Sequence, residues 1–142
     1  MKRAKSGTRG WICISKVGNL RFMRRAGVYG VGKKDIVHLK SVRPGDDLFV
    51  FTPGTAHKVV ARCRVESRMY ESREPDAYRW PFRIKLRFLW DVGEELGRGV
   101  VLPWTIGSNV YVEPHFRFQP IYQLTPGARS ALLDEIEQAE ST

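Results

Sequence analysis

The chain has 142 residues, which is enough for one domain with a sizeable core and too few for two ordinary ones. Hydrophobic residues make up 42% and charged residues 27%, a balance that favours a folded globular protein over a disordered one. No apolar run approaches the roughly 18 residues needed to cross a bilayer, and the apolar segment after the basic start is too short for a signal peptide. We therefore expect a cytoplasmic protein that does not bind membranes.

The net charge of +9 is concentrated in the first third of the chain. Residues 1–43 contain 12 Lys or Arg against one acidic residue, a net charge of +11. Residues 44–142 contain 12 against 14, a net charge of −2, and the two parts together give +9. A localised basic surface attracts phosphate chains through electrostatic steering and counterion release. The charge pattern therefore favours nucleic acid, either RNA or DNA, as the partner, over a surface that is basic only for solubility.

The first elements follow from short patterns. Residues 1–10 are basic and lack apolar periodicity, which predicts a flexible arm before a single domain spanning residues 11–140. The run "WICIS", residues 11–15, is typical of a buried strand. The segment after it predicts a short helix in which Asn19 caps the start and Gly27 ends the last turn in a left-handed conformation.

Three strands are predicted in the middle of the chain. The first lies within residues 41–51 and follows a Pro-Gly turn. The second, 58–67, alternates, and one face is formed by Val59, Ala61, Cys63 and Val65. Its other face is formed by Val60, Arg62, Arg64 and Glu66. The third, 82–90, has an apolar face of Phe82, Ile84, Leu86, Phe88 and Trp90. Its basic face is formed by Arg83, Lys85 and Arg87.

The C-terminal part predicts two short strands and a helix. The strands are "RGVVLPW", residues 98–104, and "IYQL", residues 121–124. The helix begins with Thr125 as the cap and Pro126 in the first helical position. Five or six short, mostly antiparallel strands with peripheral short helices and a C-terminal helix predict an α+β fold, built on a strongly bent or closed β-barrel.

No motif typical of an enzyme is found in the sequence. The run "GVGKKD" lacks the spacing of a phosphate-binding loop, and Asp35 stands where Ser or Thr would bind magnesium. The two cysteines, Cys13 and Cys63, lie in apolar runs and are expected to be buried free thiols. The three histidines are far apart and give no metal-ligand spacing. We therefore expect no catalysis, no cofactor and no metal site.

Aromatic residues near positive charge suggest a binding site instead. Unpaired or flipped bases are held by aromatic faces while basic side chains bind the backbone. The aromatic residues expected in loops or at strand ends are Tyr29, Tyr70, Tyr78, Trp80 and Trp104. Pro81 restricts the backbone of the residue before it to extended conformations and can fix where that ring points. Core packing is the alternative for each ring alone, but as a group beside a basic region they favour a stacking pocket.

The order of these motifs resembles the EVE-domain family of the PUA-like superfamily. The matching segments are "WICIS", "GVYGVGKK", "SVRPGDDLFVF", an alternating strand and "YRWPFRIKLRF", and together they span roughly residues 10–138. The resemblance implies a PUA-like β-barrel flanked by helices. It also implies kinship with YTH domains, which hold a methylated adenine in an aromatic cage. EVE domains are associated with a similar reading of modified bases in DNA or RNA.

The resemblance implies which residues form the site. One cage aromatic follows a Gly-Val pair and corresponds to Tyr29, where YTH domains have Trp. A second comes just before the long strand and corresponds to Trp80, with Tyr78 as the alternative. The candidate base pocket is completed by Gly30, Val31, Trp11 and Trp104, although the strand pattern also allows Trp11 to be core. The ASCH relatives, some of them RNA-cleaving, have a G-x-K-x-x-E-x-R motif that is not found here.

Basic residues complete the hypothesis. The candidate phosphate ligands are Lys33, Lys34, Arg21, Arg24, Arg25, Arg79, Arg83, Lys85 and Arg87. The basic face of strand 82–90 also fits an exposed sheet that only contacts solvent. We therefore expect a nucleic-acid-binding module that reads a modified or flipped base. Two alternatives are a small RNA-cleaving or nucleotide-hydrolysing enzyme of the same barrel class, and a small-molecule- or protein-binding module.

Overall fold

The computed structural model describes residues 8–54, 56–74, 80–102 and 120–141. Its strands are β1 (Gly10–Ile14), β2 (Val28–Val31), β3 (Asp47–Thr52), β4 (Lys58–Val65), β5 (Tyr70–Glu71), β6 (Phe82–Asp91) and β7 (Ile121–Gln123). Its α-helices are α1 (Val17–Ala26), α2 (Ile36–Leu39) and α3 (Pro126–Glu140). Short 3-10 turns cover Lys33–Asp35 and Leu96–Arg98.

The strands form one curled sheet in the order β2-β6-β4-β3-β1-β7, with β5 paired to β6. The β1–β3 pair is parallel and the other pairs are antiparallel. The curl brings β2 close to the start of β7, where the Tyr29 hydroxyl donates a hydrogen bond to the Pro120 carbonyl at 3.0 Å. We call this junction the seam. The structure confirms the predicted α+β fold and the strongly bent, mostly antiparallel sheet, which forms a half-barrel.

Apolar side chains pack on both faces of the sheet. The inner face carries the barrel core, which includes Cys13, Leu48, Val50, Cys63 and Ile84, together with Leu20 and Met23 of α1. The outer face of β1, β3 and β7 is covered by α3, where Ile12, Phe49, Phe51, Tyr122, Leu132 and Ile136 meet. Adjacent residues of β1 and β3 thus enter different cores, as the period of two in a strand requires.

Two irregular positions in the sheet correct the predicted faces of the strands. Val60 has no partner in β3, because Val50 pairs with Ala61 and Phe51 with Val59. Leu89 likewise has no partner in β4. Each extra residue bends its strand and reverses the alternation beyond it. Val60 is therefore fully buried instead of facing solvent. Trp90 packs on the α3 side, whereas Phe88 packs against the barrel core, so the shared face predicted for them was wrong.

The two longer helices begin and end for different reasons. α3 begins as predicted, with Thr125 accepting a hydrogen bond from the Ala128 amide and Pro126 in the first turn. α1 ends as predicted at Gly27, which has a φ of 68° and donates its amide to the Met23 carbonyl. The predicted cap at Asn19 was wrong, because α1 already begins at Val17 and Lys16 is the N-cap without a side-chain hydrogen bond. Asn19 therefore lies within the helix.

Two further segments differ from the predictions. In the predicted strand 98–104, the described part forms only an isolated bridge between Val100 and Val59. Pro103 and Trp104 lie outside the described residues. The glycine-containing run "GVYGV" includes an edge strand, β2, that local patterns did not predict. It becomes a strand because it pairs along its whole length with the strongly alternating β6.

Candidate functional site

A small cavity of about 80 Å³ lies at the seam. Its walls include Tyr29, Gly30 and Val31 of β2, with Trp80 and Pro120 opposite. The structure thus brings together four of the residues predicted for the base pocket, although Trp80 lies 51 positions after Tyr29 along the chain. The cavity is too small for a whole nucleotide, since pockets for drug-sized ligands occupy roughly 300–1,000 Å³.

Tyr29 forms the inner wall of the cavity. Its side chain is only 4% exposed and packs with the barrel core, so the expectation of a ring in an open loop was wrong. Its hydroxyl donates to the Pro120 carbonyl at 3.0 Å, and the Ile14 amide donates to the same oxygen at 3.0 Å. The ring is therefore held at both ends, by core packing and by a hydrogen bond across the seam.

Trp80 is half-buried and is positioned by the backbone of β2. A Cβ added to Gly30 would lie 2.8 Å from the Trp80 carbonyl oxygen and 3.1 Å from the Trp80 Cβ. Glycine is therefore required for this approach of the two segments. A Cβ added to Gly32 would lie 3.9 Å from Cδ1 of the Trp80 ring. The ring thus stands beside the end of β2 and faces the same cavity as Tyr29.

Arg83 fixes Trp80 from the side of β6. Its Nε donates to the Trp80 carbonyl at 3.0 Å, and its guanidinium lies 5.4 Å from the centre of the Phe22 ring. Arg83 is 4% exposed. Strand alternation places Arg83 on the same face of β6 as Lys85, which the structure confirms. The expected exposure was wrong, because Phe22 of α1 and Trp80 cover the side chain. The placement gives Arg83 a structural contact to the cavity wall.

Three polar side chains also line the cavity, and local patterns did not assign them to it. They are Ser15 after β1, Asn19 in α1 and Asp35 in the 3-10 turn. Ser15 is 3% exposed and its hydroxyl donates to Met23 Sδ at 3.2 Å. Asn19 and Asp35 are half-buried. An amide, a hydroxyl and a carboxylate beside two aromatic rings can form hydrogen bonds with the edge of a flat heterocycle.

Three lysines are close in sequence to residues that line the cavity. Lys16 follows Ser15 directly, and Lys33 and Lys34 come before Asp35. All three are exposed. Within the described ranges, no carboxylate lies within ion-pair distance of them. No carboxylate of the described residues therefore neutralises these charges.

The arginines of α1 are placed differently. Arg21 forms an ion pair with Glu94 at 2.6 Å, and Arg24 forms one with Asp91 at 2.6 Å. The Arg21 hydrogen bond holds the pKa of Glu94 below its ordinary value and the pKa of Arg21 above its own. Arg25 is exposed and lies 5.6 Å from the centre of the Phe22 ring. Much of the predicted basic surface of α1 is thus neutralised by the end of β6 and the loop after it.

The remaining predicted residues lie elsewhere. Trp11 is 4% exposed, donates its Nε1–H to Asp46 at 2.9 Å and does not line the cavity. Lys85 is exposed, and Arg87 pairs with Glu66 at 3.5 Å. Tyr78, Arg79 and Trp104 lie outside the described residues, as do residues 1–7 of the predicted arm.

The described residues show no arrangement for metal chemistry or membrane crossing. In residues 8–54, 56–74, 80–102 and 120–141, no three His, Cys, Asp or Glu side chains are placed to hold a metal ion. In the same ranges, no helix has both the length and the apolar character needed to cross a bilayer. Cys13 and Cys63 are buried free thiols, and burial raises the pKa of Cys13 to about 12.

Comparison with known proteins gives the class of fold. No protein-family model matches the chain, and no curated protein matches it. Among solved structures, the chain is similar to the YTH domain of the Zygosaccharomyces rouxii MRB1 protein in complex with N6-methyladenosine RNA. That match has 10% identity and a TM-score of 0.64, and it covers 94% of this chain and 90% of the domain.

Two further structures without a functional name are similar over most of their length. A hypothetical protein from Leishmania major matches with 10% identity and a TM-score of 0.66, over 96% of this chain and 99% of that protein. A protein from Pseudomonas syringae matches with 14% identity and a TM-score of 0.61, over 88% and 97%. The chain therefore has the fold of the YTH domains, which confirms at the level of the fold the family resemblance found in the sequence.

Proposed function

We propose that the chain is a non-catalytic module that binds single-stranded RNA and holds one modified base in the cavity between Tyr29 and Trp80. The observation that carries this proposal is that two distant aromatic residues line one cavity, together with Ser15, Asn19 and Asp35. A YTH domain of the same fold is known in complex with N6-methyladenosine RNA, which supports RNA over DNA as the ligand.

The size of the cavity indicates what enters it. A space of about 80 Å³ can admit part of a base, while the ribose and phosphate remain outside. Stacking on an aromatic side chain is worth about 1–3 kcal/mol per base. A methyl group on the base would add apolar surface in contact with the two aromatic rings. The polar side chains would accept or donate hydrogen bonds at the edge of the base. This combination favours a modified base over the unmodified one.

The phosphates would then lie at the mouth of the cavity. Lys16, Lys33 and Lys34 are exposed and close in sequence to lining residues, so they would bind these phosphates, and each neutralised phosphate releases counterions. Arg21 and Arg24 contribute less, because Glu94 and Asp91 already bind them. RNA affinity should therefore fall steeply with salt, whereas binding of a free nucleoside should not.

The test compares RNA oligonucleotides that differ in one base modification, beginning with N6-methyladenosine against adenosine. Trp80→Ala should weaken binding of the modified oligonucleotide about tenfold or more, because it removes one stacking wall, and should hardly change binding of the unmodified one. Lys34→Ala is the matched control. It should weaken both equally and lower the salt slope by about one unit.

Two results would overturn the proposal. The first is equal wild-type affinity for unmodified oligonucleotides and for those carrying N6-methyladenosine, 5-methylcytidine or pseudouridine. The second is preferential binding of DNA that contains the same modified base. A thermal-shift series with free modified nucleosides gives an independent readout, since a ligand that binds only the folded protein raises its melting temperature.

A further inference from the structure

A second, larger groove lies on the outer surface next to the cavity. Its volume is about 510 Å³, within the range of roughly 300–1,000 Å³ that is typical of ligand pockets. It lies between the end of α1, β5 and β6, and its lining includes Val28, Tyr70, Arg83 and Lys85. The base that we propose for the cavity does not occupy this groove. The groove is large enough for a base together with part of its sugar.

The groove and the cavity both lie along β2. Gly30 lines the cavity and Val28 lines the groove, and both side-chain positions point to the same side of the strand. Two residues of a strand span about 6.6–6.8 Å, so the two spaces are neighbours. In the sheet, Arg83 of β6 lies between them, since it pairs with Gly30 of β2 and with Tyr70 of β5.

The groove contains side chains of the types that bind an unpaired nucleotide, namely an aromatic ring, a lysine and carboxylates. Tyr70 is half-buried and offers an aromatic face, with the ammonium of Lys85 at 5.9 Å from the ring centre. Lys85 is exposed and can reach a phosphate. Two carboxylates, Glu66 and Glu74, also line the groove. A carboxylate accepts hydrogen bonds from exocyclic amino groups of bases and repels a bare phosphate.

We propose that this groove binds the nucleotide next to the one whose base enters the cavity. Tyr70 stacks on the neighbouring base, Lys85 binds the connecting phosphate, and Glu66 and Glu74 favour a base that has an amino group. This inference rests on the proposed function, because it places the second nucleotide relative to the first. The groove would give the module a preference for particular bases next to the modified one.

The experiment compares the free nucleoside N6-methyladenosine with dinucleotides that add cytidine or uridine on either side. Wild-type protein should bind one of the two cytidine dinucleotides about tenfold more tightly than the nucleoside, as expected for one additional stacked base. Tyr70→Leu should remove this gain and leave nucleoside affinity unchanged. Tyr70→Phe should keep the gain, because the aromatic face is retained.

Controls separate stacking from general charge and from unfolding. Lys40→Ala removes an exposed lysine at the end of α2 that lines neither space, and it should leave the gain unchanged. Glu66→Gln combined with Glu74→Gln should abolish any preference for cytidine over uridine. Thermal unfolding of each variant without ligand shows whether it is folded.

The outcomes distinguish the two proposals. If wild-type protein binds neither the nucleoside nor any dinucleotide, the proposed function fails. If it binds the nucleoside and gains nothing from either neighbour, or if Tyr70→Leu keeps the full gain, the groove is not a nucleotide site and only this inference fails. If Tyr70→Phe loses the gain as completely as Tyr70→Leu, the hydroxyl rather than the ring is responsible, and stacking on Tyr70 is wrong.

Discussion

The α3 side of the sheet and the seam treat polar groups in opposite ways. Beside α3, the fully buried carboxylate of Asp47 binds Arg129 at 2.6 and 2.7 Å, and Arg62 at 3.0 Å. At the seam, Ser15, Asn19 and Asp35 line a cavity, and the lysines next to Ser15 and Asp35 in the sequence have no carboxylate partner within the described ranges. On the α3 side the carboxylate is bound by arginines, whereas at the seam polar side chains line an open space.

This difference between the two regions corresponds to the different requirements of stability and ligand binding. A buried carboxylate is tolerated only when cations and hydrogen bonds compensate for its lost hydration, and Asp47 has both. A binding site requires the reverse, because groups that are already satisfied within the protein have little to give a ligand. Arg21 and Arg24 are already paired with carboxylates of the protein, although both residues lie in the basic third of the chain. Net charge alone therefore overstates the positive charge that is left unpaired.

The largest expected effect is that of Asp47→Asn on stability. It leaves three arginines, one of them with a side chain only 6% exposed, beside a neutral amide. Breaking a buried pair of this kind costs about 3–5 kcal/mol in the free energy of unfolding, measured by urea titration. Arg98→Ala is the control, because its pair with Glu95 is exposed on both sides and is worth at most about 1 kcal/mol. Equal losses for the two variants would contradict the comparison.

Gly30→Ala should have an intermediate effect that reaches the seam. The added methyl lies 2.8 Å from a backbone oxygen of Trp80, and overpacking of this kind costs about 1–3 kcal/mol. The displaced Trp80 should also weaken binding of a modified nucleoside. Gly18→Ala is the control, because nothing lies within 4 Å of its added Cβ in α1, and it should stabilise the protein by up to about 1 kcal/mol. Unchanged stability and binding in Gly30→Ala would show that Trp80 is not held by this contact.

Glu94→Gln should have the smallest effect, and its size should depend on pH. The pKa of Glu94 is lowered from 4.5 by its hydrogen bond with Arg21, so its contribution is present above pH 4.5 and is lost as the pH falls through the lowered pKa. Thermal unfolding should therefore show a small deficit for the variant at pH 7 that disappears in acid. A deficit that stays constant with pH would mean that the ion pair is not its cause.

Much of the fold follows from patterns within a few residues of each other. Alternation over 58–67 and 82–90 predicts β4 and β6, and a cap followed by proline predicts the start of α3. These signals are local, because they depend on the strand period and on backbone geometry. The bulge at Leu89 has no such signal, so the position of Trp90 was predicted wrongly.

The sequence by itself predicted the strands with regular alternation, the end of α1 and the start of α3. It also predicted, through a family resemblance, that Tyr29 and Trp80 lie together. Only the tertiary structure decided that Tyr29 is buried, that Arg83 supports Trp80 and that Ser15, Asn19 and Asp35 meet them. The seam joins residues 91 positions apart through the Tyr29–Pro120 hydrogen bond. Such contacts depend on how far the whole sheet curls, which the local pattern of any one strand does not specify.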